Sequence, residues 1–262
     1  MGKLILGSLA LFAIVSLSSC KDNDDESKPK NVTAATGMRL VHSSFKNSAT
    51  PVDIFIDDTK ANTSATIAYL GASPIYPLSA GSHKIVAKTN TGTVVADTTM
   101  TIADATQYSF FIKDRAWTTG TVTAALKTGF VAVPDNNTTA PDAGMAKVRF
   151  VNASSGPLNG PTGTMNFSKV TIIGNLLTST VITQSLGVGN SRMYSEYMML
   201  EPGTYTFRVN PASPTAVIDA VNFWEINVTV EADKLYTCFA TSTASTVKTP
   251  SKSPVWLTMI PN

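Results

Sequence analysis

The chain has 262 residues, with 20 lysines and arginines against 18 aspartates and glutamates, and only two histidines and two cysteines. So near-neutral a balance, with no cluster of basic side chains, argues against a nucleic-acid partner, because phosphate contacts need Lys and Arg gathered on one face. Two cysteines are too few for a disulfide framework, and stability must come from apolar burial.

Residues 1–19 have the three-part plan of an export signal: Lys3 at the positive end, an apolar stretch from Leu4 to Leu17, then the small residues Ser18 and Ser19. The stretch is 14 residues by position and is interrupted by Gly7, Ser8 and Ser16. A spanning helix needs about 20 mostly apolar residues, so a removable signal is the better reading. Its end, Leu17-Ser18-Ser19-Cys20, resembles the lipobox of bacterial lipoproteins. That resemblance implies a diacylated Cys20 as the mature N-terminus and a membrane as its partner. Each buried CH₂ contributes about 0.8 kcal/mol, so two or three acyl chains hold firmly.

Residues 20–36 read as an acidic, flexible tether. Lys21-Asp22-Asn23-Asp24-Asp25-Glu26 cannot bury a core, and its like charges extend the chain. The run also resembles the acidic export signal of surface lipoproteins in Bacteroidota-type bacteria, which implies the outer membrane and its exterior face.

Beyond the tether the chain repeats itself. Arg39-Leu40-Val41-His42-Ser43-Ser44 matches Arg149-Phe150-Val151-Asn152-Ala153-Ser154, and Leu78 through Val86 matches Leu200 through Arg208. A third block, Tyr108-Ser109-Phe110-Phe111, matches Tyr236-Thr237-Cys238-Phe239. The offset grows from 110 to 122 to 128 residues, so the second copy carries insertions, expected in surface loops. Apolar residues alternate within the blocks, as in His83, Ile85 and Ala87 and their counterparts Tyr205, Phe207 and Val209. This predicts an all-β chain of two tandem antiparallel β-sandwich domains, Ig-like or transthyretin-like, at 37–133 and 145–262. The segment 134–144, with Pro134, Pro141 and no apolar periodicity, reads as the linker.

The opening Arg39 to Ser44, the stretch Pro51-Val52-Asp53-Ile54-Phe55-Ile56-Asp57 and Ala80-Gly81-Ser82-His83 resemble domain-of-unknown-function family 4397. The resemblance implies tandem β-sandwiches on a bacterial lipoprotein and brings no activity with it. The second copy departs from the pattern: Asn152 replaces His42 and the Val-Asp-Ile segment is not preserved. The expectation is that copy two cannot repeat what His42 and Asp53 do.

Candidate chemistry is sparse. A grouping of His42 with Ser43, Ser44, Asp53 and Asp57 is conceivable, but no nucleophile elbow, zinc-protease, phosphate-loop or Cys-x-x-Cys motif accompanies it. A hydrogen bond from His42 to a neighbouring strand or turn is the plainer expectation, and His83 reads as a packed or hydrogen-bonded core residue. Asp53, Asp57 and Asp58 read as a solvated face rather than a calcium site. Cys238 reads as a small apolar filler. No metal, cofactor or catalytic residue is expected.

Aromatic residues are the better pointers to binding. Trp117, with Arg115 and Asp114 beside it in a polar, turn-like segment, has the make-up of a sugar-stacking site. Trp224 and the run Met193 to Met199 fall near the copy-two insertions and suit interdomain packing before ligand contact. The expected function is a lipid-anchored cell-envelope binding or adhesion module, not an enzyme, recognising a glycan or a partner protein. The alternative is a structural spacer or assembly subunit of a surface complex.

Overall fold

The computed structural model describes residues 36–114, 128–135, 140–154, 165–173, 176–186, 193–211, 224–242 and 255–261. Among them every regular element is a strand. β1 (Gly37–His42), β2 (Val52–Ile56), β3 (Thr59–Lys60), β4 (Tyr76–Pro77), β5 (Gly81–Thr89), β6 (Val94–Ile102), β7 (Gln107–Asp114) and β8 (Thr128–Asp135) build two sheets, ordered β4-β1-β7-β8 and β3-β2-β5-β6. β9 (Ala146–Asn152), β10 (Met165–Ile173), β11 (Leu176–Leu186), β12 (Met198–Leu200), β13 (Gly203–Pro211), β14 (Trp224–Val230), β15 (Leu235–Ser242) and β16 (Val255–Pro261) build two more, ordered β12-β9-β15-β16 and β11-β10-β13-β14. The all-β reading holds, and no helix among the described residues is long and apolar enough to cross a membrane.

Alternation explains the layers. Met38, Leu40, Ile54, Ile85, Phe110 and Ile112 meet between the first two sheets, all fully buried. Phe150, Phe167, Phe207, Val209 and Cys238 do the same between the second two. Burying each such aliphatic or aromatic side chain contributes about 1.5–3 kcal/mol. Cys238 sits in the second core beside Tyr236 and Ala240, and full burial pushes its thiol far above the ordinary range. It is the apolar filler that its strand face predicts.

Two features differ from the expectation of antiparallel sheets with insertions in loops. β1 runs parallel to β7, with Leu40 opposite Phe110, and β9 runs parallel to β15, with Phe150 opposite Cys238. A parallel pair needs a long crossover, and the intervening strands supply it by passing through the other sheet. The first insertion is taken up at least in part by a hairpin: β3 has two residues where β11 has 11, and β2 has five where β10 has nine. Strand β8 also runs through Pro134 and Asp135, so the expected linker begins inside a strand.

A third core joins the two halves. Val41, Phe111 and Val133 on one sheet meet Val151, Phe239 and Ile260 on another, with Phe111 and Phe239 packed edge to face at 5.4 Å between ring centres. β1 and β9 are therefore buried at every residue, the behaviour of strands covered on both faces. In β1, Leu40 points into its own sandwich and Val41 into the junction.

Candidate functional site

The junction is built from side chains that the two copies contribute in equivalent pairs. Arg39 Nε donates to Ser109 Oγ of its own half at 2.9 Å, while its Nη1 and Nη2 reach across to Pro261 O at 2.6 Å and Thr237 Oγ1 at 3.4 Å. Arg149 mirrors this: Nε to Thr237 Oγ1 at 3.0 Å, Nη1 to Pro134 O at 2.9 Å and Nη2 to Ser109 Oγ at 3.4 Å. Thr241 Oγ1 adds a bond to Ser43 O at 2.6 Å. Burial, with Arg149 as a second cause, lowers the Arg39 pKa to about 10.

The symmetry breaks at one edge. Asp135 Oδ2 lies 4.0 Å from Arg149 Nη2 and accepts from the Tyr197 hydroxyl at 3.1 Å, and the Arg149 guanidinium sits 5.0 Å over the Tyr197 ring. Burial holds the Tyr197 hydroxyl well above its ordinary pKa. Here a cleft of about 180 Å³ opens, lined by Pro134, Lys147, Arg149, Tyr194, Glu196 and Tyr197, with Ser195 beneath them.

Backbone bonds identify what stands at the equivalent place in copy one. Phe150 N donates to Ser195 Oγ and Leu40 N to Ser73 Oγ, both at 2.9 Å, and Ser195 N and Ser73 N return to Phe150 O and Leu40 O. Tyr194 bridges Val151 as Ala72 bridges Val41. Thus Lys147, Tyr194, Glu196 and Tyr197 correspond to Gly37, Ala72, Pro74 and Ile75. Gly37 is held small, because a Cβ there would lie 2.8 Å from Tyr76 O. The polar and aromatic groups have been placed on one side only.

The residues singled out from sequence fall elsewhere. Cys20, Arg115 and Trp117 lie outside the described residues. Trp224 begins β14 opposite Val209, and its side chain is likewise outside them. Asp114 is described, and it is not a loop residue open to a ligand. It is 1% exposed and accepts from Ser44 Oγ at 2.6 Å, Lys46 N at 2.9 Å and Thr128 Oγ1 at 2.9 Å. Its position at the end of β7, where a strand leaves the sheet, makes it an anchor for the β1–β2 turn.

The conceivable His/Ser/Asp grouping is not assembled. His42 is buried and its Nε2 meets Thr50 O at 3.2 Å, the plain hydrogen bond that was expected. Ser43 donates to Ile112 O and Ser44 to Asp114. Asp53 holds Asn62 and Lys60, each at 2.9 Å, and Asp57 holds His83 Nδ1 at 2.6 Å. His83 is hydrogen-bonded as expected, but at the rim rather than in the core: its Nε2 meets Ser79 O as the Tyr205 hydroxyl meets Glu201 O. Among the described residues no group of three or more His, Cys, Asp or Glu could hold a metal ion.

Asn152, which stands where copy one has His42, also ties its strand to a backbone carbonyl, but to a different one: its Nδ2 donates to Leu186 O at 2.8 Å, where His42 meets Thr50 O. Sequence reasoning picked out the run holding Tyr194 and Tyr197, and Arg149 in its repeat block, but did not join them to each other or to Lys147. Their signal was the arginine shared by the first repeat block, set in each copy between apolar residues, Met38 and Leu40 or Val148 and Phe150.

No curated protein matches the chain. Among solved structures, it is similar to a leucine-rich repeat protein from Bacteroides thetaiotaomicron, with 13% identity and a TM-score of 0.20, over 80% of this chain. It spans 26% of that protein's length. It is also similar to a "putative cell adhesion protein" from Bacteroides eggerthii, with 10% identity over 88% of this chain and 97% of that one and a TM-score of 0.27. A second "putative cell adhesion protein", from Bacteroides uniformis, has 12% identity over 87% and 96% and a TM-score of 0.23. Residues 36–159, which take in β1 through β9, match the family model described as Domain of unknown function (DUF4397).

Proposed function

We propose that this chain is a lipid-anchored envelope protein, fastened through Cys20 to the outer membrane, whose two repeat units at 37–133 and 145–262 form a non-enzymatic binding module for a glycan or a partner protein. One observation carries the binding part. Two copies of one unit meet almost symmetrically, yet only one edge of the junction has exchanged Gly37-, Ala72-, Pro74- and Ile75-type residues for Lys147, Tyr194, Glu196 and Tyr197 around a cleft. A spacer has no need of that asymmetry. Aromatic and polar side chains converging on a concavity are the usual make-up of a small-ligand site.

The anchor rests on the lipobox-like end of the signal and the polar tether after it. The spacer alternative draws support from the doubly covered central sheets, which make the junction stiff. A glycan-array and envelope-protein screen of residues 31–262 separates the two readings. Specific capture that is lost in Tyr194→Ala supports the module, and a blank across both screens leaves the spacer. Mass spectrometry of the processed protein, expected to find acyl chains on Cys20, tests the anchor.

A further inference from the structure

The junction cleft has a chemical bias. Arg39, Lys147 and Arg149 line it or lie directly behind it, against Asp135 and Glu196, so the cluster carries one cation more than it has carboxylates. Arg149 has five guanidinium N–H groups, and three of them donate to Thr237, Pro134 and Ser109 within the described residues. Its ion pair with Asp135 is 4.0 Å long, beyond hydrogen-bond reach. Arg149 therefore keeps donor capacity at a cleft wall, in a setting that is 1% exposed, where a charge-assisted bond is about twice as strong as a neutral one.

Size and lining narrow the ligand. A volume of about 180 Å³ is below the ~300–1,000 Å³ of sites for drug-sized molecules, so it suits one ring or a terminal group rather than a chain segment. Tyr194 and Tyr197 give that ring aromatic neighbours, while Ser195 and Glu196 bring polar atoms. A peptide strand would look for an extended apolar groove or sheet edge, and a polar-lined space of this size is too short for one.

We propose that the cleft seats an acidic sugar, a single hexuronate-type ring whose carboxylate meets Lys147 and Arg149 while its hydroxyl-bearing ring lies beside Tyr194 and Tyr197. This deepens the binding-module reading and rests on it. Glu196, exposed at the rim, disfavours anions and sets an upper bound on affinity.

The test is titration calorimetry on the full lipidated chain in detergent micelles, with glucuronate as probe and glucose, acetate and a glutamate-rich peptide as comparators. Glucuronate is expected to bind and the other three to bind at least tenfold more weakly. Lys147→Gln is expected to weaken glucuronate about tenfold, as one charge-assisted bond would. Glu196→Gln is expected to strengthen it about two- to fivefold, the range of one exposed charge. Ile75→Ala, at the equivalent place in copy one, leaves it unchanged. Glucuronate failing to bind, glucose matching it, acetate matching it as an adventitious ion, or the peptide displacing it overturns the proposal. So does a correctly folded Lys147→Gln with wild-type affinity. Should that variant misfold, an unchanged Glu196→Gln decides against it equally. A positive array screen with any of these results leaves the wider binding reading intact and removes only the acidic sugar.

Discussion

Arg39 and Arg149 cross the junction in opposite directions, and each donates to the hydroxyl that the other holds through Nε: Ser109 for Arg39, Thr237 for Arg149. Two guanidinium groups are thereby buried at 5% and 1% exposure, a desolvation cost that these crossed bonds offset. Their environments differ, because Asp135 and Tyr197 attend Arg149.

That difference predicts unequal losses. Arg149→Met takes away the guanidinium beside Asp135 and is expected to cost about 3–5 kcal/mol, the range for breaking a buried ion pair from one side. Arg39→Met leaves the pair between Arg149 and Asp135 in place, and a loss of about 1–2 kcal/mol is expected. Urea unfolding of the two variants gives the comparison.

Lys113, 3% exposed on β7, has its pKa lowered to about 7 by burial. Between that value and the ordinary 10.5, the unfolded chain binds a proton that the folded chain does not. Stability therefore rises with pH across this window, by at most about 1.4 kcal/mol per pH unit. Lys113→Met should flatten the rise, as measured by urea midpoints from pH 7 to 10.

His42 acts on the acid side. Burial lowers its pKa below the ordinary 6.5, and its Nδ1 has no partner among the described residues. As pH falls below 6.5 the unfolded chain takes up the proton first, and stability declines until the folded pKa is passed. His42→Asn, copying Asn152, is expected to lower stability at pH 8 by about 1 kcal/mol and to remove this part of the acid decline.

The β2–β3 hairpin turns on Asp57 and Asp58, at φ 49° and 64°. Asp58→Gly places the residue that such a turn prefers and is expected to add about 0.5–1 kcal/mol. Gly81, at φ 138° where β5 begins, is the opposite case, and Gly81→Ala should cost about 1–3 kcal/mol. Thermal melts of both variants check the signs.

Much of this architecture was legible because a repeat reports itself: Gly81 and Gly203, Tyr108 and Tyr236, Arg39 and Arg149 keep their order and their strand faces. Parallel pairing was not, since alternation along β1 looks the same whichever way β7 runs. The doubly buried strands left a trace in the unbroken apolar run Phe110-Phe111-Ile112, but a strand alone does not say what covers its second face. Asp114 misled for a related reason. A carboxylate beside polar residues reads as solvent-facing, and only the fold brings Ser44, Lys46 and Thr128 to it. Lys147 and Tyr197 lie 50 positions apart, so their meeting depends on β12 pairing with β9, a long-range event that no local pattern encodes.

The Phe111–Phe239 contact makes the molecule an internal imitation of a two-fold dimer. Each half presents a patch shaped to receive its own relative, so severing the chain near residue 140 would not yield two contented monomers. Either fragment, left with a bare phenylalanine and an arginine in search of acceptors, would seek a second copy of itself.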